Sequence, residues 1–236
     1  MERIFTSGVI YRVIKYTDNS AIALGYTKEF GKLKLFMPKA YTKKSGLLTI
    51  VPGEIDFLKK DNSDLYKLYD FKPNSSFLNF VEDPALSLRF SLIYDLFDNL
   101  YDVGQPEPVL WTMLTRFTRE NASSALIFTL YALLKNSGNM FSNDFCSLCG
   151  KAAQDESSVL NGDYFCGDCT PQGAIRIGCD ENLVLRAVKK PNLYKNLKIS
   201  LHLELAVCEI LLKHAEAAIG KKIKSFQTFK TLLLSL

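Results

Sequence analysis

The chain has 236 residues, of which 47% are hydrophobic and 23% are charged, with 13 glycines and 8 prolines. This composition excludes disordered and collagen-like chains, and the length predicts one large domain or two to three small ones. The longest apolar stretch, residues 126–134, is far shorter than the roughly 18 residues that a membrane span needs, so we expect no membrane protein. The first six residues show no apolar signal-peptide core, so we expect a cytoplasmic protein whose thiols stay reduced.

The net charge of +4 is distributed unevenly along the chain. Residues 1–50 carry a net charge of +6 and residues 186–236 carry +7, whereas residues 51–110 carry −6 and residues 146–185 carry −4. Between residues 28 and 44, six lysines accompany a single glutamate. Such a local excess suggests a polyanion partner, although for most lysine runs a solvated face that serves solubility is the better explanation.

The first third of the chain alternates between apolar and polar residues, as strands do. β-Branched and aromatic residues alternate between turn sequences at 17–20 and 61–64. The pattern predicts five short strands, at residues 4–16, 21–27, 33–37, 47–58 and 65–71. Five short strands in about seventy residues are typical of a small barrel such as an OB-fold, with an SH3-like barrel as the alternative.

From Asp83 onward the apolar residues follow a helical period. Asp83 and Pro84 form a helix start, a second helix opens at residues 106–108, and a third runs over 123–135 and stops near Gly138. The third is apolar almost all round, so we expect it at the centre of a helical bundle. Two more helices are predicted at 201–219 and 226–234. The fold class is therefore α+β: a five-stranded OB-fold domain at 1–76, followed at 77–236 by an α-helical bundle domain that contains a zinc finger at 146–169.

Four cysteines form the most specific motif in the sequence. Cys146 and Cys149 are spaced C-x2-C, as are Cys166 and Cys169, and sixteen residues separate the two pairs. Such pairs direct both sulfurs of a tight turn at one metal, so the spacing predicts one structural zinc ion per chain in a closed four-thiolate site. A catalytic metal or a thioredoxin-like dithiol is a weaker interpretation, because no open ligand position or βαβ pattern accompanies the cysteines. Cys179 and Cys208 are expected to be small core residues.

The strand after Gly31 carries basic and aromatic residues on one face. Alternation places Lys32, Lys34 and Phe36 opposite a leucine and methionine face that belongs in the core. Exposed ammonium groups beside an aromatic ring suit single-stranded nucleic acid. Coverage of Phe36 by the helical domain is an equally good explanation. The complete predicted nucleic-acid-binding set is Arg12, Lys28, Lys32, Lys34, Phe36, Lys39, Lys43 and Lys44.

Motifs for nucleotide hydrolysis, dinucleotide binding and a serine nucleophile are absent from the sequence. The two histidines, His202 and His214, fall within one predicted helix, where a surface or packing role is commoner than a catalytic one. We therefore expect neither an enzyme nor a small-molecule substrate. A nucleic-acid-modifying enzyme with a structural zinc remains the alternative from a different class.

Several short segments together resemble the RecO family of bacterial DNA repair and recombination mediators. These segments are Gly8 to Arg12, Tyr26 to Lys34, Phe145 to Gly150, and Ile219 to Ser225, the last being similar to the family's closing motif of glycine, basic residues and serine. Their order and spacing extend over most of the chain. The resemblance implies an N-terminal OB-fold, a helical domain and, in one branch of the family, a four-cysteine zinc site.

The resemblance also implies a function. Members of the family bind single- and double-stranded DNA, anneal complementary strands without ATP, and work with RecR and single-strand-binding protein to load the RecA recombinase. It further implies a cytoplasmic, nucleoid-associated protein. The basic loop at residues 39–44 and the segment between the cysteine pairs are shorter here than is usual in the family. An RNA- or ribosome-binding protein with an OB-fold and zinc is the alternative function.

Overall fold

The computed structural model describes residues 2–41, 49–61, 63–152, 155–190, 194 and 197–234. The chain divides into two compact units, one formed by residues 1–94 and 101–116 and the other by residues 95–100 and 117–236. The first unit thus contains helical residues beyond position 76, where the sequence analysis placed the end of the first domain. Among the residues described, none of the helices has the length and apolar character needed to span a membrane.

The first unit is built on five strands that close into a barrel, in the order β1-β2-β3-β5-β4. β3 and β5 pair in parallel and the other pairs are antiparallel, and β1 is long enough to pair with β2 through one half and with β4 through the other. This arrangement confirms the predicted five-stranded N-terminal domain. The strands are β1 (Glu2–Lys15), β2 (Ser20–Thr27), β3 (Gly31–Pro38), β4 (Pro52–Lys59) and β5 (Leu65–Pro73).

Period-two alternation places the apolar side chains inside the barrel. Leu33, Leu35 and Met37 of β3 are buried, and they pack in one cluster with residues such as Ile55 and Phe57 of β4. The fourth strand was predicted to start at residue 47 but begins at Pro52. Residues 49–51 lie outside any strand, and residues 42–48 are not among those described.

Three helices follow the barrel: α1 (Asn79–Glu82), α2 (Pro84–Leu100) and α3 (Pro108–Leu114). The predicted cap of α2 is confirmed, because Asp83 Oδ1 accepts hydrogen bonds from the N–H groups of Ala85 and Leu86 at 2.9 and 3.2 Å. Glu107 caps α3 in the same way, through Val109 N at 3.0 Å.

The second unit contains the central predicted helix and the cysteine region. Its elements in chain order are α4 (Ala122–Asn136), β6 (Ser157–Leu160), β7 (Asp163–Cys166), β8 (Ile175–Ile177), α5 (Cys179–Ala187), α6 (Leu201–Ile219) and α7 (Lys224–Leu233). Nine residues of α4 are buried, which agrees with the expected central position, and α4 packs against α6. Ser123 Oγ donates to the buried carboxylate of Glu204 at 2.6 Å.

The segment that resembles the closing motif forms the turn between α6 and α7. Gly220 adopts the left-handed conformation, with φ of 67°, and ends α6. Glu216 accepts hydrogen bonds from Ile223 N at 2.8 Å and from Lys222 Nζ at 2.9 Å. Asp95 Oδ2 accepts from both Ser225 N and Ser225 Oγ, at 3.1 and 2.7 Å. The motif therefore has a structural role, which is to fix where α7 starts.

Candidate metal centre and nucleic-acid interface

The first cysteine pair lies in a tight turn at 146–150. Gly150 N donates to Cys146 O at 2.9 Å, and Cys146 N donates to Lys151 O at 2.8 Å. Gly150 has φ of 69°, a conformation that glycine adopts at little cost. The turn is attached to the following sheet, because Ser147 N donates to Tyr164 O on β7 at 2.8 Å.

A three-stranded sheet in the order β7-β6-β8 positions the second cysteine pair, Cys166 and Cys169. Asn161 and Gly162, both with positive φ, form the two-residue turn between β6 and β7. Cys166 is the last residue of β7, and Cys169 follows in a single turn of 3₁₀ helix. The asparagine-glycine pair is a standard hairpin signal that the sequence analysis did not use.

The sulfurs of Cys146, Cys149, Cys166 and Cys169 all lie within 4.8 Å of one another, so the four residues could hold a metal ion. The Sγ atoms of Cys149 and Cys166 are 3.7 Å apart. Four Zn–S bonds of about 2.3 Å in tetrahedral geometry place neighbouring sulfurs about 3.8 Å apart, so this spacing fits zinc. The four thiols are free rather than joined as disulfides.

The thiols differ in their affinity for protons. Backbone N–H groups, that of Cys149 first among them, stabilise the thiolate of Cys146 and lower its pKa to about 6. The neighbouring sulfurs, led by Cys166, raise the pKa of Cys169 to about 12. Because a metal binds cysteine as the thiolate, binding of a divalent metal by all four residues releases protons.

The remaining cysteines and the histidines lie outside this cluster. Cys208 is fully buried in α6, as expected of a core residue, but Cys179 is exposed in the first turn of α5, so the core prediction was wrong for it. His202 is exposed. His214 is buried, with Nε2 at 2.6 Å from Asn139 O, and burial lowers its pKa. None of these geometries indicates catalysis.

On the barrel, the structure contradicts the predicted exposure of Lys32. Its exposed fraction is 8%, and Nζ donates to the carbonyl of Tyr101 at 2.9 Å. A segment that follows α2 covers this end of β3: Val103 forms a bridge to Lys32, and Gly104 N donates to Lys32 O at 2.8 Å. Lys32 therefore points away from the core, as alternation requires, but into this segment rather than into solvent.

The other predicted residues of β1 and β3 share one outer face of the barrel. Arg12, Leu24 and Lys34 lie side by side across β1, β2 and β3, and Lys34 is exposed. The next row is Ile14, Ile22 and Phe36. The face thus combines two basic side chains with an apolar row, which suits contact with both phosphates and bases.

Phe36 is half-buried rather than fully exposed, because the ring of Tyr16 packs edge-on against it with the centroids 6.2 Å apart. Tyr16 itself is 62% exposed and Ile14 is 47% exposed. The sequence analysis missed both. Ile14 lies on the outward phase of β1, and Tyr16, the first residue after β1, continues the same alternation, so the alternating pattern could have identified both.

The remaining predicted binding residues surround this face or fall outside the described chain. Lys28 is exposed in the turn between β2 and β3, and Lys39 is exposed just after β3, with φ of 58°. Lys43 and Lys44 lie outside the described residues.

No protein-family model matches the chain. Curated relatives do match. A DNA repair protein RecO from Prosthecochloris aestuarii is 30% identical over 122 residues, which cover 49% of this chain and 45% of that protein. Proteins of the same name from Listeria monocytogenes and Listeria welshimeri are each 24% identical over 188 residues, which cover 75% of this chain and 72% of theirs. The first alignment thus spans less than half the length of its relative. These matches confirm the resemblance that the motifs indicated, and they support the RecO family for this chain.

Proposed function

We propose that this chain is a DNA repair protein that acts as a recombination mediator. In this proposal it binds single- and double-stranded DNA, anneals complementary strands without ATP, and helps RecR and single-strand-binding protein to load the RecA recombinase. The observation that carries the proposal is the agreement of several relatives whose shared name is DNA repair protein RecO. The barrel and its basic, partly apolar outer face support it independently.

The outer face of β1, β2 and β3 is proposed as the DNA interface. Lys28, Lys34 and Arg12 contact phosphates, while Tyr16 and Phe36 offer rings to bases. Such contacts tolerate any sequence, because every base has a face on which to stack. Lys32 is left out of the interface, since its ammonium group is already bonded to the protein.

Strand annealing requires little more than such a surface. Partial neutralisation of the two phosphate backbones lowers the repulsion between complementary strands, and base pairing then supplies the free energy. The protein needs no nucleotide and no catalytic group for this step. We accordingly propose a non-enzymatic role.

We also propose that Cys146, Cys149, Cys166 and Cys169 bind one structural zinc ion per chain. All four positions of a tetrahedral ion would be occupied by protein sulfur, so the ion would stabilise the turn at 146–150 against the end of β7. The backbone N–H groups that lower the pKa of Cys146 prepare this sulfur to bind as a thiolate.

The test is annealing of complementary DNA strands coated with single-strand-binding protein, in nucleotide-free buffer. We expect annealing by the natural protein and slower annealing by the Lys28→Gln/Lys34→Gln variant. A Lys135→Gln/Lys198→Gln variant removes the same charge from exposed positions of the second unit and serves as the control. Absence of annealing by the natural protein would overturn the mediator role, and a preference for structured RNA over single-stranded DNA would favour the RNA-binding alternative.

A further inference from the structure

A row of outward-facing side chains continues around the barrel beyond the proposed interface. Phe36 on β3 is the register partner of Lys67 on β5, Lys67 is the partner of Leu58 on β4, and Leu58 is the partner of Arg3 on β1. Register partners on neighbouring strands point to the same face of a sheet. The row that holds Phe36 therefore runs without interruption to the N-terminal half of β1, three strand spacings or about 14 Å away.

Two exposed aromatic rings flank the far end of this row. Phe5 is 70% exposed and Tyr69 is 48% exposed. The guanidinium of Arg3 lies over both rings, 5.2 Å from the centroid of Phe5 and 4.9 Å from that of Tyr69. Lys67 Nζ lies 4.9 Å from the Tyr69 centroid. We name Arg3, Phe5, Lys67 and Tyr69 the β5–β1 cluster.

Asp56 keeps this cluster in a fixed arrangement. Its two carboxylate oxygens accept hydrogen bonds from Arg3 Nε at 3.0 Å and from Arg3 Nη2 at 2.6 Å. A guanidinium held at two points has little rotational freedom, so it restrains the two rings that it lies against. Asp56 also neutralises Arg3, which therefore positions the rings and leaves phosphate contact to Lys67.

We propose that the β5–β1 cluster is a second base-stacking station for single-stranded nucleic acid. The nucleic acid would reach it by crossing from the β1–β3 face over β5. The inference rests on the proposed function and extends its site. Exposed rings with a cation beside them are the features that bind single strands without sequence preference. A nucleic-acid strand that passes over both stations would make contact through more of its nucleotides, within the range of roughly 4–16 that one OB-fold can bind.

The charge around the cluster shows which interaction dominates there. Glu54 lies opposite Lys72 in the register, and Asp56 is bonded to Arg3, so acidic groups balance most of the basic ones. Attraction of phosphates by this surface is accordingly weak, and stacking supplies the binding free energy. The two rings of the second station should therefore contribute affinity that salt does not screen, and Lys67 should account for the salt-dependent part of its binding.

The experiment measures binding of fluorescent oligo(dT), of about 5 and about 15 nucleotides, to the full chain at several salt concentrations. Phe5→Ser/Tyr69→Ser removes both rings, and Leu183→Ser removes an exposed apolar side chain from α5 as the control. We expect the double variant to bind the longer oligonucleotide at least about tenfold more weakly and the shorter one almost normally. For the double variant, the slope of log K against log salt should equal that of the natural protein. Lys67→Gln should instead reduce that slope by about 0.7.

The outcomes separate this inference from the proposed function. Normal binding of the longer oligonucleotide by a folded double variant would overturn the second station and leave the β1–β3 interface standing. Failure of the natural protein to bind either oligonucleotide would overturn both. Because Phe5 and Tyr69 are exposed, the double variant should keep the fold, and the unfolding temperature checks this; if it does not, the two single variants replace it.

Discussion

Replacement of the two outward lysines of β3, Lys32 and Lys34, should affect different properties: the stability of the fold for Lys32 and the salt dependence of DNA binding for Lys34. Lys34 is exposed, whereas the Lys32 ammonium donates to the Tyr101 carbonyl inside the protein. Loss of a hydrogen bond from a charged, buried donor costs about 1.5–3 kcal/mol. For a chain of this length that corresponds to a fall in unfolding temperature of roughly 3–12 °C. We therefore expect Lys32→Gln to lower stability and to leave the salt dependence of DNA binding unchanged.

Lys34→Gln should show the converse behaviour. Each phosphate contact on a single strand contributes about −0.7 to the slope of log K against log salt, so this variant should lose about that amount while the unfolding temperature stays constant. Thermal unfolding and anisotropy titrations with oligo(dT) at several salt concentrations measure the two quantities. The reasoning is refuted if Lys32→Gln is as stable as the natural protein and loses the same slope, because Lys32 would then face the ligand.

Three further results are expected. Cys149→Ser should reduce bound zinc from about one ion per chain, as measured by elemental analysis, whereas Cys179→Ser, outside the cluster, should keep it; equal metal content in both would exclude the four-thiolate site. Burial lowers the pKa of His214 in the folded chain, so its contribution to stability is complete above the unfolded pKa of about 6.5 and is lost as the pH falls below it. Denaturant unfolding between pH 7.5 and 5.5 should therefore show a steeper loss for the natural protein than for His214→Gln, and parallel curves would contradict this. Asp95→Ala should cost about 1–3 kcal/mol of unfolding free energy, because Ser225 loses two hydrogen bonds; an unchanged midpoint would show that the closing motif is fastened by other contacts.

Local patterns in the sequence were enough to predict those features that depend on a single strand, helix or turn. Alternation placed Leu33 and Leu35 in the barrel, Asp83 capped its helix, and C-x2-C spacing brought four sulfurs to one point. Alternation also gave the correct side of β3 for Lys32. It carries no information about a segment seventy residues later that covers this side, so exposure was the part that failed.

The β5–β1 cluster shows the same limit in another form. Arg3 and Asp56 are 53 residues apart and meet only because β1 pairs with β4 through its N-terminal half. Strand order and register decide which distant side chains share a face. Neither quantity follows from the composition of a single strand, so the contacts of Phe5 and Tyr69 required the closed barrel.

The segment over β3 also bears on the solubility of the chain. In the described structure β3 pairs with β5 only from Lys34 to Phe36, so the backbone of Gly31 to Leu33 would otherwise present an open edge on that side. Val103 and Gly104 occupy this edge. A Cβ atom on Gly31 would clash with the backbone of Gln105 and would displace this segment. An open strand edge is a template for pairing between molecules, so a side chain at Gly31 should favour aggregation of a barrel whose interior is otherwise intact.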